Sequence, residues 1–123
     1  MWPCWWRKAG TSFAWLIRSR ETNLVLGMIG HRVHGPRAHL GYCLARDAWG
    51  QGYATEAARR VVEAALAEPS IWRVEALCDA EHTASTRVLQ KAGLAYEGTL
   101  QRYMVLPNLG NVPRDMRCYA RVR

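Results

Sequence analysis

Ala45-Arg46-Asp47-Ala48-Trp49-Gly50-Gln51-Gly52-Tyr53-Ala54-Thr55-Glu56-Ala57 is the stretch where an apolar strand gives way to a helix. Gly50 and Gly52 stand at the junction, where the lack of a Cβ lets the backbone bend sharply and lets a ligand come close. The first turn of the following helix presents N–H groups without intrahelical partners, and the summed peptide dipole makes that end partly positive. A phosphate suits such an end. An ordinary tight turn before a helix has the same spacing, so the rest of the chain must decide between the two.

Downstream, Ala54, Ala57, Ala58, Val61, Val62, Ala65 and Leu66 fall on one face of a 3.6-residue period, which predicts a helix over residues 52–67. Glu56 with Arg60 and Arg59 with Glu63 pair at i, i+4 on its outer face. Pro69 and Ser70 stop it, and residues 71–78 read as a buried strand. Strand, helix and strand in that order imply a right-handed crossover and a parallel pair. Residues 83–92 predict a second helix with Gly93 at its left-handed C′ position. Residues 96–106 and 115–122 are the closing strands. In the last, Met116, Cys118, Ala120 and Val122 alternate with Arg117, Tyr119 and Arg121, which predicts that the first set is packed and the second wet.

Upstream, residues 38–44 form the strand that leads into the glycine junction, after a turn at His34-Gly35-Pro36-Arg37. Before it, residues 13–18 and 24–33 read as a hairpin around residues 19–23, with Gly27 and Gly30 as possible bulges. Trp2, Trp5, Trp6 and Trp15 crowd the start of the chain at a density that calls for cover.

At 123 residues and 50% hydrophobic, the chain is expected to be a single domain. No run approaches the ~18 to 20 apolar residues of a membrane span, and residues 1–8 lack the apolar region of a secretory signal. Cys4, Cys43, Cys78 and Cys118 include no Cys-x-x-Cys pair, which argues for reduced thiols in a cytoplasmic protein and against a zinc site. His31 and His34 point to opposite faces of a strand, a poor arrangement for a metal. The net charge of +7 favours anionic partners without choosing among them.

The order β-β-β-α-β-α-β-β with a glycine turn opening the central helix resembles the GNAT superfamily of acetyl-CoA-dependent N-acetyltransferases, most closely its ribosomal-protein N-terminal branch. Residues 40–44 followed by 49–57 are similar to its pyrophosphate motif, usually Arg/Gln-x-x-Gly-x-Gly/Ala, with Trp49 in the first place and Ala54 in the last. Residues 85–94 with Glu97-Gly98 are similar to its second helix and exit, and residues 115–123 to its terminal strand. The fold so implied is α/β (α+β), with a mixed, mainly antiparallel sheet and two main helices. Residues 13–123 match that core. The family's first strand and two helices are not matched, and the tryptophan-rich residues 1–12 stand in their place, so a shortened domain is expected.

The resemblance implies direct attack of an amine on the acetyl-CoA thioester. Leu44 and Ala45 would pair with the pantetheine arm, the N–H groups of Gln51, Gly52, Tyr53 and Ala54 with the Thr55 hydroxyl would hold the pyrophosphate, and His82, Ser85 and Lys91 would add cofactor contacts. His82 stands where relatives have asparagine, and Leu89 where many have a tyrosine acid. Ser85 is then the candidate donor to the leaving thiolate, or a plain helix serine. His39 takes the place of a glutamate base, and histidine ionises near neutral pH; a half-exposed strand histidine is the alternative. The acceptor would be a peptide N-terminus or a small amine. The competing function is a non-catalytic CoA-binding or basic RNA-contacting module, for which Tyr119 between Arg117 and Arg121 is the only aromatic cluster, so nucleic acid is not the expected partner. A homodimer packed through residues 2–15 is expected, because an uncovered sheet edge beside exposed tryptophans invites association.

Overall fold

The computed structural model describes residues 11–123. The expected contacts of Trp2, Trp5 and Trp6 lie outside the described residues.

Three antiparallel strands in succession, β1 (Thr11–Arg18), β2 (Val25–His34) and β3 (Arg37–Leu44), form one half of a six-stranded sheet. Gly30 is not a bulge. It sits in unbroken register between Ala14 and Gly41, and it is glycine because a Cβ there would collide with the Phe13 carbonyl oxygen. The bulge lies beside Gly27: Ile17 pairs with Gly27 and Arg18 with Val25, so Leu26 has no partner on β1.

Helix α1 (Tyr53–Ala67) follows, and it buries Ala54, Ala58, Val61, Val62 and Ala65, the face the periodicity marks. Strand β4 (Arg73–Asp79) then runs parallel to β3, as the crossover rule requires. It begins at Arg73, two residues later than the expected strand, and the N–H groups of Trp72 and Arg73 both reach the Pro36 carbonyl, at 2.7 and 3.3 Å. Helix α2 (Thr83–Lys91) ends at Gly93, whose φ of 97° lets the Leu94 N–H reach back to the Leu89 carbonyl at 3.0 Å. Strands β5 (Ala95–Met104) and β6 (Arg114–Val122) complete the sheet in the order β1-β2-β3-β4-β6-β5. Every pairing but β3–β4 is antiparallel.

In β6 both faces carry buried residues: Met116 and Ala120 are packed as expected, and Tyr119, expected to be wet, is packed as well. Tyr119 is 1% exposed and Val122 63% exposed. Tyr119 pairs with Ala76 of β4, and both belong to the core with Leu89, Val62 and Val74. β6 is flanked by β4 and β5, an interior position in which both faces of the strand are covered. Arg117 and Arg121 are thereby left without a stacking ring between them.

Candidate functional site

Strands β3 and β4 are bonded only where Arg37, Ala38 and His39 meet Arg73, Val74 and Glu75. Beyond these pairs the two strands part, and a cavity of about 830 Å3 opens between residues 40–44 and residues 76–79. Its far end is the glycine junction. Leu44 is followed by the Ala45 N–H bonded to the Leu26 carbonyl at 2.7 Å and by a short 3-10 turn, Arg46–Ala48. Gly50 and Gly52 then take φ values of 75° and 85°, the left-handed region where a Cβ costs energy. Gly52 is the N-cap of α1, and no side chain caps it. The first helical bond is Glu56 N–H to the Gly52 carbonyl at 3.0 Å, so the N–H groups of Tyr53, Ala54 and Thr55 precede the ladder and have no helical acceptor. A Cβ placed on Gly50 or Gly52 meets nothing within 4 Å, so both open outward.

Of the sequence-derived residues, Leu44, Gly52, Tyr53, Ala54, Thr55, His82, Ser85 and Lys91 line this cavity, whereas His39, Ala45 and Gln51 do not. The Gln51 side chain turns back to donate to the Asp47 carbonyl at 2.9 Å. Trp49 donates its indole N–H to the Leu44 carbonyl at 2.9 Å. Its ring lies 6.0 Å from that of His82, and the Arg46 guanidinium lies over it at 5.6 Å from the ring centre. One aromatic thus joins the end of β3 to the start of α2.

At the N-terminus of α2, the Ser85 hydroxyl is not a backbone cap. Its Oγ lies 2.8 Å from His82 Nδ1 and accepts the Tyr42 hydroxyl at 3.2 Å. Burial pushes the Tyr42 phenol above its usual range, with the Ser85 hydrogen bond opposing. Leu89, which stands where the family resemblance would place a tyrosine, is 1% exposed core. The phenol present comes instead from β3. Strand alternation was the available signal, since Tyr42 shares a face with the core residues Ala38 and Leu40.

His39 stands at the vertex where the strands part, on the face opposite to Tyr42. Its Nδ1 is 3.1 Å from Glu75 Oε2, and the two side chains are only 13% and 15% exposed. Glu75 also accepts Arg73 Nε at 2.8 Å and Arg37 Nη1 at 3.1 Å, while Arg73 forks onto Glu97 at 2.6 and 3.0 Å. The His39 hydrogen bond foremost, then Arg73 and Arg37, outweigh burial and hold the Glu75 carboxyl at about 2. Glu75 carries no motif. Only the parallel register, which sets it opposite His39, reveals it. Among the described residues no cluster of histidine, cysteine or carboxylate could hold a metal; His31 is buried against the rings of Phe13 and Trp15.

A family model described as an acetyltransferase (GNAT) domain matches residues 2–95. The uncharacterized N-acetyltransferase YoaA of Bacillus subtilis is 30% identical over 112 residues, covering 89% of this chain and 62% of its own length. The chain spans 49% to 62% of the length of the curated relatives it matches. Among solved structures, the microcin C7 self-immunity acetyltransferase MccE, in complex with acetyl-CoA and AMP, superposes with a TM-score of 0.81 at 21% identity, covering 91% of this chain and 61% of that one. The ribosomal-protein-S5-alanine acetyltransferase of Vibrio fischeri gives a TM-score of 0.79 at 17% identity, covering 90% and 61%.

Proposed function

The chain belongs to the GNAT acetyltransferase family, and on that premise we propose that it binds acetyl-CoA between β3 and β4 and transfers the acetyl group to a primary amine. The observation that carries the reading is the early end of the β3–β4 ladder, with the opening running to an uncapped helix N-terminus. A diphosphate suits the Tyr53, Ala54 and Thr55 N–H groups, since each is an unsatisfied donor in a field that favours negative charge. The Thr55 hydroxyl adds one more donor, and the Leu44 carbonyl, with a second lone pair beside the Trp49 bond, can still accept from a ligand amide.

In this reading His39 is the base. Glu75 fixes its ring and favours the tautomer with the proton on Nδ1, which leaves the Nε2 lone pair as the basic site. A carboxylate held ionised by two arginines also stabilises the imidazolium that forms when the amine gives up its proton. Ser85, His82 and Lys91 complete the wall on the α2 side. The acceptor, a peptide N-terminus or a small amine, is not fixed by the fold, since the structurally similar proteins are named for different ones.

A cytoplasmic homodimer belongs to the same proposal. No helix among the described residues is long and apolar enough to cross a membrane. Phe13 and Trp15 are each 45% exposed on the edge strand β1, which offers apolar surface to a second copy. Sedimentation at micromolar concentration should show a species of twice 14.0 kDa; a monomer that persists on concentration contradicts it.

Thermal shift tests the cofactor. Acetyl-CoA at 100 times its dissociation constant should stabilise the fold by about 2.7 kcal/mol, and an amine panel assayed by thiol release should then reveal turnover. A melting temperature unmoved by saturating acetyl-CoA overturns the reading.

A further inference from the structure

Leu44 ends β3 and His82 is the N-cap residue of α2, so the two stand on opposite walls of the cavity that both line. One side chain reaches across. Trp49 is fastened to the β3 wall by its indole N–H, which donates to the Leu44 carbonyl at 2.9 Å. Its ring meets the imidazole on the α2 wall with centroids 6.0 Å apart and planes at 53°, a tilted aromatic contact. His82 is itself held, with Nδ1 2.8 Å from Ser85 Oγ. Trp49 is 50% exposed and His82 is exposed. The pair therefore bridges the opening on its solvent side and not in its depth.

Resting on the acetyl-CoA reading above, we propose that the Trp49–His82 pair is a gate across the path of the pantetheine arm, and that it sets how fast the cofactor enters and leaves. A ligand with its diphosphate on the Tyr53, Ala54 and Thr55 N–H groups and its thioester between the strands lies along the opening, beneath this bridge. To be seated from solvent the arm crosses the line of the two rings, and to leave it crosses again. The rings are too close for that. A chain threaded between them stands about 4 Å from each, which holds the rings about 8 Å apart, and the observed 6.0 Å falls short.

Trp49 is placed to be the moving half. It follows the short 3-10 turn Arg46–Ala48 and precedes Gly50 at φ 75°, and a few such residues at the end of an element can absorb the backbone change of a hinge. Three contacts hold it closed: the indole bond, the ring contact and the Arg46 guanidinium 5.6 Å from the ring centre. A hydrogen bond and an aromatic contact together are worth roughly a factor of ten in a rate constant. All three join protein to protein and are remade once the arm is seated. Their loss therefore speeds entry and exit alike. A side chain that grips the cofactor behaves differently, since its loss speeds release and weakens binding with association little changed.

The test is the kinetics of CoA binding to the immobilised full chain by surface plasmon resonance, which needs no acceptor. In Trp49→Ala both the association and the release rate constants should rise by about tenfold, and their ratio, the dissociation constant, should stay near that of the wild type. Association that is unchanged or slowed, whatever happens to release, overturns the gate and leaves the cofactor site standing. Failure of the wild type to bind CoA is seen first and overturns the acetyl-CoA reading with it. If Trp49→Ala does not unfold cooperatively, Trp49→Phe decides the matter. It keeps a ring facing His82 and removes only the bond to the Leu44 carbonyl, so both rate constants should rise together by a smaller factor; a rise in release alone, or in neither, contradicts the gate.

Discussion

The two ends of the β3–β4 opening are built from different material. At the glycine junction the proposed ligand groups are backbone N–H donors, presented because Gly50 and Gly52 hold left-handed backbone and no side chain caps α1. At the vertex the polar groups are side chains, His39 and Glu75, brought together by strands that lie far apart in sequence. A backbone site depends on conformation and tolerates changes of side chain, whereas a side-chain dyad depends on both identities and on register. Substitutions should therefore act by different routes at the two ends.

The largest expected effect is at the vertex. His39→Ala should lower turnover by about 10²- to 10⁴-fold, the usual contribution of a general base, with acetyl-CoA affinity unchanged. Steady-state rates over a range of pH would check this, and an unaltered rate at all pH values removes His39 from the mechanism. At the junction the loss should instead be in binding. Gly52→Val adds a branched side chain to a residue at φ 85°, which costs roughly 1 to 2 kcal/mol of backbone strain and fills the space a diphosphate needs. Calorimetry should show acetyl-CoA affinity falling by more than about tenfold in a protein that still unfolds cooperatively. Equal affinity would move the diphosphate elsewhere.

Glu75→Gln is the finer probe. It keeps the shape and removes the charge that orients His39, so turnover should fall less than in His39→Ala. Its effect on stability has a definite sign. The Glu75 carboxyl is at about 2 in the folded chain against an ordinary 4.5, so its ionised form favours the native state above pH 4.5, and that contribution fades as pH falls from there through 2. Urea unfolding of the two proteins should differ most at neutral pH and converge near pH 2. A constant difference across that window would show that Glu75 acts through packing alone.

The same contrast explains what the sequence could and could not reveal. The glycine junction, α1 and the crossover to β4 were legible because each depends on local spacing: seven apolar positions on one helical face, two glycines, a proline stop. Glu75 was not, because it becomes a partner of His39 only through a parallel register that no local pattern encodes. Tyr42 was not singled out because its hydroxyl meets Ser85 only through the packing of β3 against α2, which no local pattern encodes. Tyr119 was expected to be wet because alternation was read as one packed and one wet face, whereas the interior strand β6 carries buried residues on both. Gly30 looked like a bulge because a strand glycine signals either irregularity or close approach, and here the neighbouring carbonyl decides for close approach.

The central claim, that acetyl-CoA lies between β3 and β4 with its diphosphate on the start of α1, is tested most directly by amide chemical shifts in 15N-labelled protein. On addition of acetyl-CoA, the largest displacements should fall on Gly52, Tyr53, Ala54 and Thr55, with smaller ones along residues 40–44 and at Ser85. Displacements centred away from the β3–β4 opening, with the amides of residues 52–55 unmoved, would contradict it.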